Sequence, residues 1–140
     1  MTHPLFDLSG SVGLVTGAAQ GMGRPTAIAF AEAGADVLIT DLNADGLQAT
    51  ADYIQTLGRR ALPMAGDITD VDFVRSLYAR LDQAFGRIDV VANVAGSGQL
   101  APPESVSLEL MEKIVYGLVV ARFCSCQEAG QRMLAAGSAG

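Results

Sequence analysis

The stretch VGLVTGAAQGMGR, residues 12–24, decides how this chain is read. A short apolar run, VGLVT, is followed at once by three glycines, Gly17, Gly21 and Gly23, and then by a segment of helical period. Glycine loses more conformational freedom on folding than any other residue, so three in seven positions need a physical reason. Between a strand and the helix it opens, such a cluster lets backbone N–H groups and the helix dipole approach a bound pyrophosphate, where side chains would block the way. The spacing is G-x-x-x-G-x-G rather than G-x-G-x-x-G, and no Lys-Ser/Thr follows, which excludes a nucleoside triphosphate loop. A glycine-rich turn without a ligand stays open as the alternative.

Outward from this stretch the same alternation recurs. The first helical pattern runs from about Gly21 to Glu32, with Gly34 placed to end it. ADVLIT (35–40) reads as a second strand, and a helix follows over about 44–57, stopped by Gly58. RALPMAG (60–66) is a shorter third strand; Thr69 or Asp70 can cap a helix to about Phe85, closed by Gly86. IDVVANVAG (88–96) is a fourth strand with its turn, and Ser107 can cap a long final helix to about Ala135. Strands that are continuous apolar runs, each followed by a helix, predict a doubly wound α/β domain over residues 1–140: a Rossmann-type parallel sheet covered on both faces.

Asp41 adds a second feature. It stands directly after the second strand, 18 positions past Gly23, close to the spacing of about 20 at which an acidic residue meets the adenosine ribose of a dinucleotide. Alone it would read as a solvated acid or a helix cap; with the glycines it points to a ribose.

Composition excludes several classes. With 140 residues and a formal net charge of −6, the chain has no electrostatic reason to bind nucleic acid or anionic lipid. Its strongest apolar stretch, IVYGLVVA (114–121), is far shorter than the ~20 residues that span a bilayer, and MTHPLFDLSG lacks a signal-peptide pattern, so a cytoplasmic protein is expected. Cys124 and Cys126 lie two apart in a helical pattern, about 200° around the axis, and read as small buried thiols, not metal ligands. The one histidine, His3, sits near the terminus, which leaves no Ser/His/Asp or Cys/His constellation.

TGAAQGMG (16–23), Asp41, GDITD (66–70) and ANVAG (92–96) together resemble, in order and spacing, the cofactor-binding half of the short-chain dehydrogenase/reductases, from about Leu8 to Gly140. The resemblance implies strand order 3-2-1-4 and a nicotinamide cofactor. It assigns Gly17, Gln20, Gly21, Met22 and Gly23 to the cofactor's phosphate end, and Asp41 and Leu42 to its ribose. Asp67 would accept from the adenine amino group beside the Ile68 backbone, and Asn93, Ala95 and Gly96 would hold the turn after the fourth strand against the cofactor. An Asp41 carboxylate repels a 2′-phosphate, and Gln20 and Leu42 stand where basic companions would be needed, so NAD(H) is expected over NADP(H).

The chain also departs from the family pattern. The family's chemistry is carried by a serine on the fifth strand and by a tyrosine with a lysine four residues later. Here the only lysine is Lys113, with Glu109 four before it, and no Tyr-x-x-x-Lys occurs. The chain stops at AAGSAG, where the family enters its fifth strand, so a cofactor-binding part truncated before that strand is expected, without a catalytic residue. Anchored on Phe123 and Met133, the final helix places Leu118 where many relatives carry a proton-relay asparagine, and Ala121 where they carry glycine.

Three functions are compatible with these residues. One is an NAD-dependent oxidoreductase of alcohols or carbonyls, of which this is the cofactor-binding part; another is a non-catalytic dinucleotide-binding module; the third is an inactive truncated product. Ile114, Val115, Leu118, Val119, Phe123, Cys126 and Met133 form an apolar face that Val120 and Ala121 extend, more than one sheet needs. In the resembling family this helix packs on its counterpart, so a homo-oligomer is expected.

Overall fold

The structure, a computed structural model, describes residues 4–96, 98 and 100–137; His3 and the closing residues 138–140 lie outside that set. A 3₁₀ turn at Pro4–Phe6 precedes β1 (Val12–Thr16), α1 (Gly23–Glu32), β2 (Asp36–Asp41), α2 (Ala44–Thr56), β3 (Ala61–Ala65), α3 (Val71–Ala84) and β4 (Val90–Asn93). A second 3₁₀ turn, Pro103–Ser105, leads into α4 (Leu108–Val115), a π turn (Tyr116–Val120) and α5 (Ala121–Ala135).

The four strands are parallel in the order β3-β2-β1-β4. Alternate residues of the central strands face opposite layers. Leu14 and Leu38 pack against Val74, Leu77, Tyr78 and Leu81 of α3 and Cys124 and Ala129 of α5. Val15, Val37 and Ile39 pack against Ala27 and Ala31 of α1 and Leu47, Ala51 and Ile54 of α2. Both faces are dry, which is why β1 and β2 are written as unbroken apolar runs. Pro63, which has no N–H to give, sits in the edge strand β3, where one side of the ladder is free of obligation.

Helix ends follow the expected chemistry. Asn43 caps α2 by accepting from Gly46 N–H at 3.1 Å, and Asp70, not Thr69, caps α3 by accepting from Asp72 N–H at 2.9 Å. Ser107 accepts from Leu110 N–H at 3.2 Å to start α4. Gly34, Gly58 and Gly86 each follow a helix with positive φ. Pro25 is the third residue of α1, where its missing N–H has no intrahelical partner to lose.

Four expectations change. The first helix begins at Gly23 rather than Gly21, because the glycines at 17 and 21 adopt left-handed φ of 72° and 54° and form a loop. The long final helix is not uniform: the π turn at Tyr116–Val120 widens it by a residue, which a count of helical period does not reveal. Cys124 is buried as expected, but Cys126 is exposed and accepts from Asn93 Nδ2 at 3.4 Å. Ala121 faces inward and is 1% exposed, so it belongs to the core and not to the outer apolar face; Met133 also packs on the core.

Candidate dinucleotide-binding site

At the carboxyl ends of β1, β2, β3 and β4 lies a cleft of about 350 Å³. An open parallel sheet binds ligands there, outside the strand ends and where the order reverses between neighbours. Of the residues singled out in the sequence, Gly17, Gln20, Met22, Gly23, Asp41, Leu42, Asp67, Ile68, Ala95 and Gly96 line it. Gly66, Thr69, Val94 and Gly117 join them. Gly21 and Asn93 do not line it; the Asn93 amide turns to Cys126 instead.

The glycine loop is pinned to β2. Gly17 and Ala18 N–H groups both donate to the Thr40 carbonyl, at 2.8 and 3.1 Å, and Ala19 N–H donates to Asp41 Oδ2 at 3.0 Å. Asp41 Oδ1 accepts from Asn43 N–H at 3.0 Å, so both carboxylate oxygens are oriented while each keeps a lone pair for a further donor. Beside it Leu42 is 73% exposed. Asp67 Oδ1 accepts from Thr69 N–H and Thr69 Oγ1, both at 2.8 Å, which fixes the loop after β3. No Lys or Arg lines the cleft among the described residues.

Helix α1 differs from α2, α3 and α4 in having no side-chain cap: Met22 stands at that position and makes no such hydrogen bond. Of its first N–H groups, Arg24 donates to the Gln20 carbonyl at 3.2 Å and Thr26 to the Met22 carbonyl at 3.3 Å, and Pro25 has none, so those of Met22 and Gly23 are left for an anion at the cleft. Gly17 also answers to a neighbour inside the protein. A Cβ there would stand 2.9 Å from Ala95 Cα and 3.0 Å from Ala95 N, so the missing side chain makes room for the β4 turn at a position that lines the cleft. A Cβ on Gly23 would collide with the Gly17 carbonyl, which lets α1 start tight against the loop.

The β4 turn is held by groups that the motifs did not reveal. Ala95 N–H donates to Thr16 Oγ1 at 3.0 Å, and Arg122 Nη2 donates to the Ala95 carbonyl at 3.0 Å. Thr16 was visible as the first residue of TGAAQGMG, though nothing local announces a bond 79 residues away; Arg122 carried no signal. Leu118 packs half-buried beside Gly96, and its Cδ2 fills the space where a Cβ would lie.

Among the described residues no group of three His, Cys, Asp or Glu could hold a metal ion, and no helix is long and apolar enough to cross a membrane.

A family profile described as short chain dehydrogenase matches residues 11–140. The chain belongs to the short-chain dehydrogenase family. D-threitol dehydrogenase of Mycolicibacterium smegmatis is 39% identical over 94% of this chain, and gluconate 5-dehydrogenase of Gluconobacter oxydans is 34% identical over 98%. A solved short-chain type dehydrogenase/reductase from Mycobacterium marinum superposes with a TM-score of 0.91 at 37% identity, over 97% of this chain. The chain spans 51% and 54% of the two curated relatives and 55% of the solved one, about half of each. The family's sheet, with its order 3-2-1-4, is the one seen here.

Proposed function

We propose that this chain is the cofactor-binding part of an NAD-dependent oxidoreductase that interconverts a small alcohol and its carbonyl. The family membership supports an oxidoreductase; the observation that carries the choice of NAD(H) is Asp41. Its carboxylate is fixed at the cleft by Ala19 and Asn43 N–H groups, and no lining base stands ready for a 2′-phosphate. Ribose hydroxyls can donate to the free lone pairs of Asp41, whereas a phosphate there meets like charge. The Met22 and Gly23 N–H groups at the start of α1 would receive the pyrophosphate, and Asp67 and Ile68 would border the adenine. When bound, the nicotinamide supplies the hydride chemistry. Residues of this chain orient it and shelter one side of it.

A second reading is a dinucleotide-binding module without turnover: within these 140 residues the only lysine, Lys113, has Glu109 four positions before it and is exposed on α4. Two relatives are named for D-threitol and for gluconate, which supports a hydroxylated substrate for the whole protein.

Fluorescence titration of the purified chain tests the reading. NADH is expected to bind at least about tenfold more tightly than NADPH, with Asp41→Ala narrowing the gap. Tighter binding of NADPH would remove Asp41 from its assigned role. Binding without oxidation of secondary alcohols fits the second reading; turnover lost on mutating a residue of this chain would require an acid–base group here.

A further inference from the structure

One residue at the cleft wall is gripped from two directions. Thr16 of β1 takes the Ala95 N–H, and Arg122 of α5 reaches the Ala95 carbonyl, each at 3.0 Å. The same guanidinium closes over the next residue: a Cβ on Gly96 would stand 2.8 Å from Arg122 Nη2 and 2.7 Å from Leu118 Cδ2. Ala95 and Gly96 both line the cleft, so the grip sets the shape of its wall.

Arg122 is costly to keep. Arg132, also on α5, is tied to Asp82 and Glu128, both at 2.8 Å, but no carboxylate lies within ion-pair distance of Arg122 among the described residues. Its Nε is buried without a hydrogen-bond partner. A partly buried guanidinium with no acid and an unmet donor loses hydration without recovering it in stability. What it gains is the fixed orientation of one carbonyl.

We propose that Arg122 is a positioning residue for the cleft: it holds the Ala95–Gly96 turn in the shape that a bound dinucleotide meets, so that binding does not have to order it. The proposal rests on the cofactor reading given above. Preorganisation raises affinity because the ordering cost is met during folding. Methionine at 122 would keep the apolar stem and remove every donor; lysine would keep the charge and donors at somewhat shorter reach.

The test compares the wild-type chain with R122M and R122K by NADH titration and by exchange of the Ala95 amide, which is bonded to Thr16 next to the gripped carbonyl. R122M is expected to keep its fold, bind NADH about tenfold more weakly and exchange faster at that amide. R122K should recover most of both losses. NADH binding by folded R122M at wild-type strength overturns the proposal, as does a lysine variant that folds yet recovers neither loss, since that pattern marks packing. If R122M does not fold, R122K decides alone: a protected Ala95 amide and affinity within about threefold of wild type support the grip, and an unprotected Ala95 amide or a greater loss overturns it. Failure of the wild-type chain to bind NADH is a separate result that brings down the cofactor reading, and the proposal with it.

Discussion

Gly17 and Gly21 share a left-handed backbone and differ in everything else. A side chain at 17 meets the Ala95 backbone, whereas one at 21 meets nothing within 4 Å. Gly21→Ala therefore carries only the conformational cost, about 1 kcal/mol, and should leave the β4 turn in place. Gly17→Ala adds a collision with backbone that cannot rotate away, so it should lower stability by more and weaken NADH binding as the β4 turn moves. Thermal unfolding and NADH titration of the two variants check this; equal losses would mean that position 17 is only a turn residue. The placement of Gly17 and Asp41 at the cleft was legible because strand, loop and acid succeed one another along the chain. Those of Thr16 and Arg122 were not, because each acts on a residue 79 or 27 positions away and no local pattern encodes such a distance. Cys126 failed for a related reason: composition favours burial of a thiol, and only the helix orientation decides which of two neighbouring cysteines turns inward.

At the scale of elements, the packing of α3 against α5 depends on one buried phenol. The Tyr78 hydroxyl donates to the Ser125 carbonyl and pairs with Ser125 Oγ, both at 2.8 Å. Burial pushes the Tyr78 hydroxyl up to about 12, against a smaller opposing pull from its Ser125 hydrogen bond. A group whose folded value is raised contributes stability that is whole below its unfolded value, near 10, and lost as pH rises through about 12. Tyr78→Phe should thus cost about 1 kcal/mol at neutral pH and flatten the decline of stability above pH 10. Denaturant unfolding between pH 7 and 11 measures both effects, and an unchanged alkaline slope in the variant would place the titrating group elsewhere. Strand positions and helix caps were readable here since hydrophobic period and capping chemistry are local. The π turn was not, because its extra residue serves Gly117 at the cleft and Leu118 at Gly96, contacts set by tertiary structure.

At the scale of the molecule, the outer face of α4 and α5 remains apolar. Val119 is 59% and Phe123 64% exposed, with Val115 and Val120 beside them. Together with the edge position of β4, this supports the proposal that copies of the chain associate through these helices. Leu118 is unsuited to testing it, since it supports Gly96. Val119→Glu with Phe123→Glu should shift the sedimentation of the chain toward monomer while leaving NADH affinity within about twofold. A wild-type chain that sediments as monomer at high concentration would end this proposal.

The strand order has a consequence for how the protein is made. β1, the first strand in the sequence, lies inside the sheet and pairs with β4, whose partners in register are 77 residues further on: Gly13 with Val90, Leu14 with Val91. Closing so long a loop is slow, and the Thr16–Ala95 bond cannot exist until it has closed. The β4 wall of the cleft therefore waits on a long-range pairing of the sheet. The proposed dinucleotide would bind only chains in which that pairing has closed, and by mass action would draw the remainder after them.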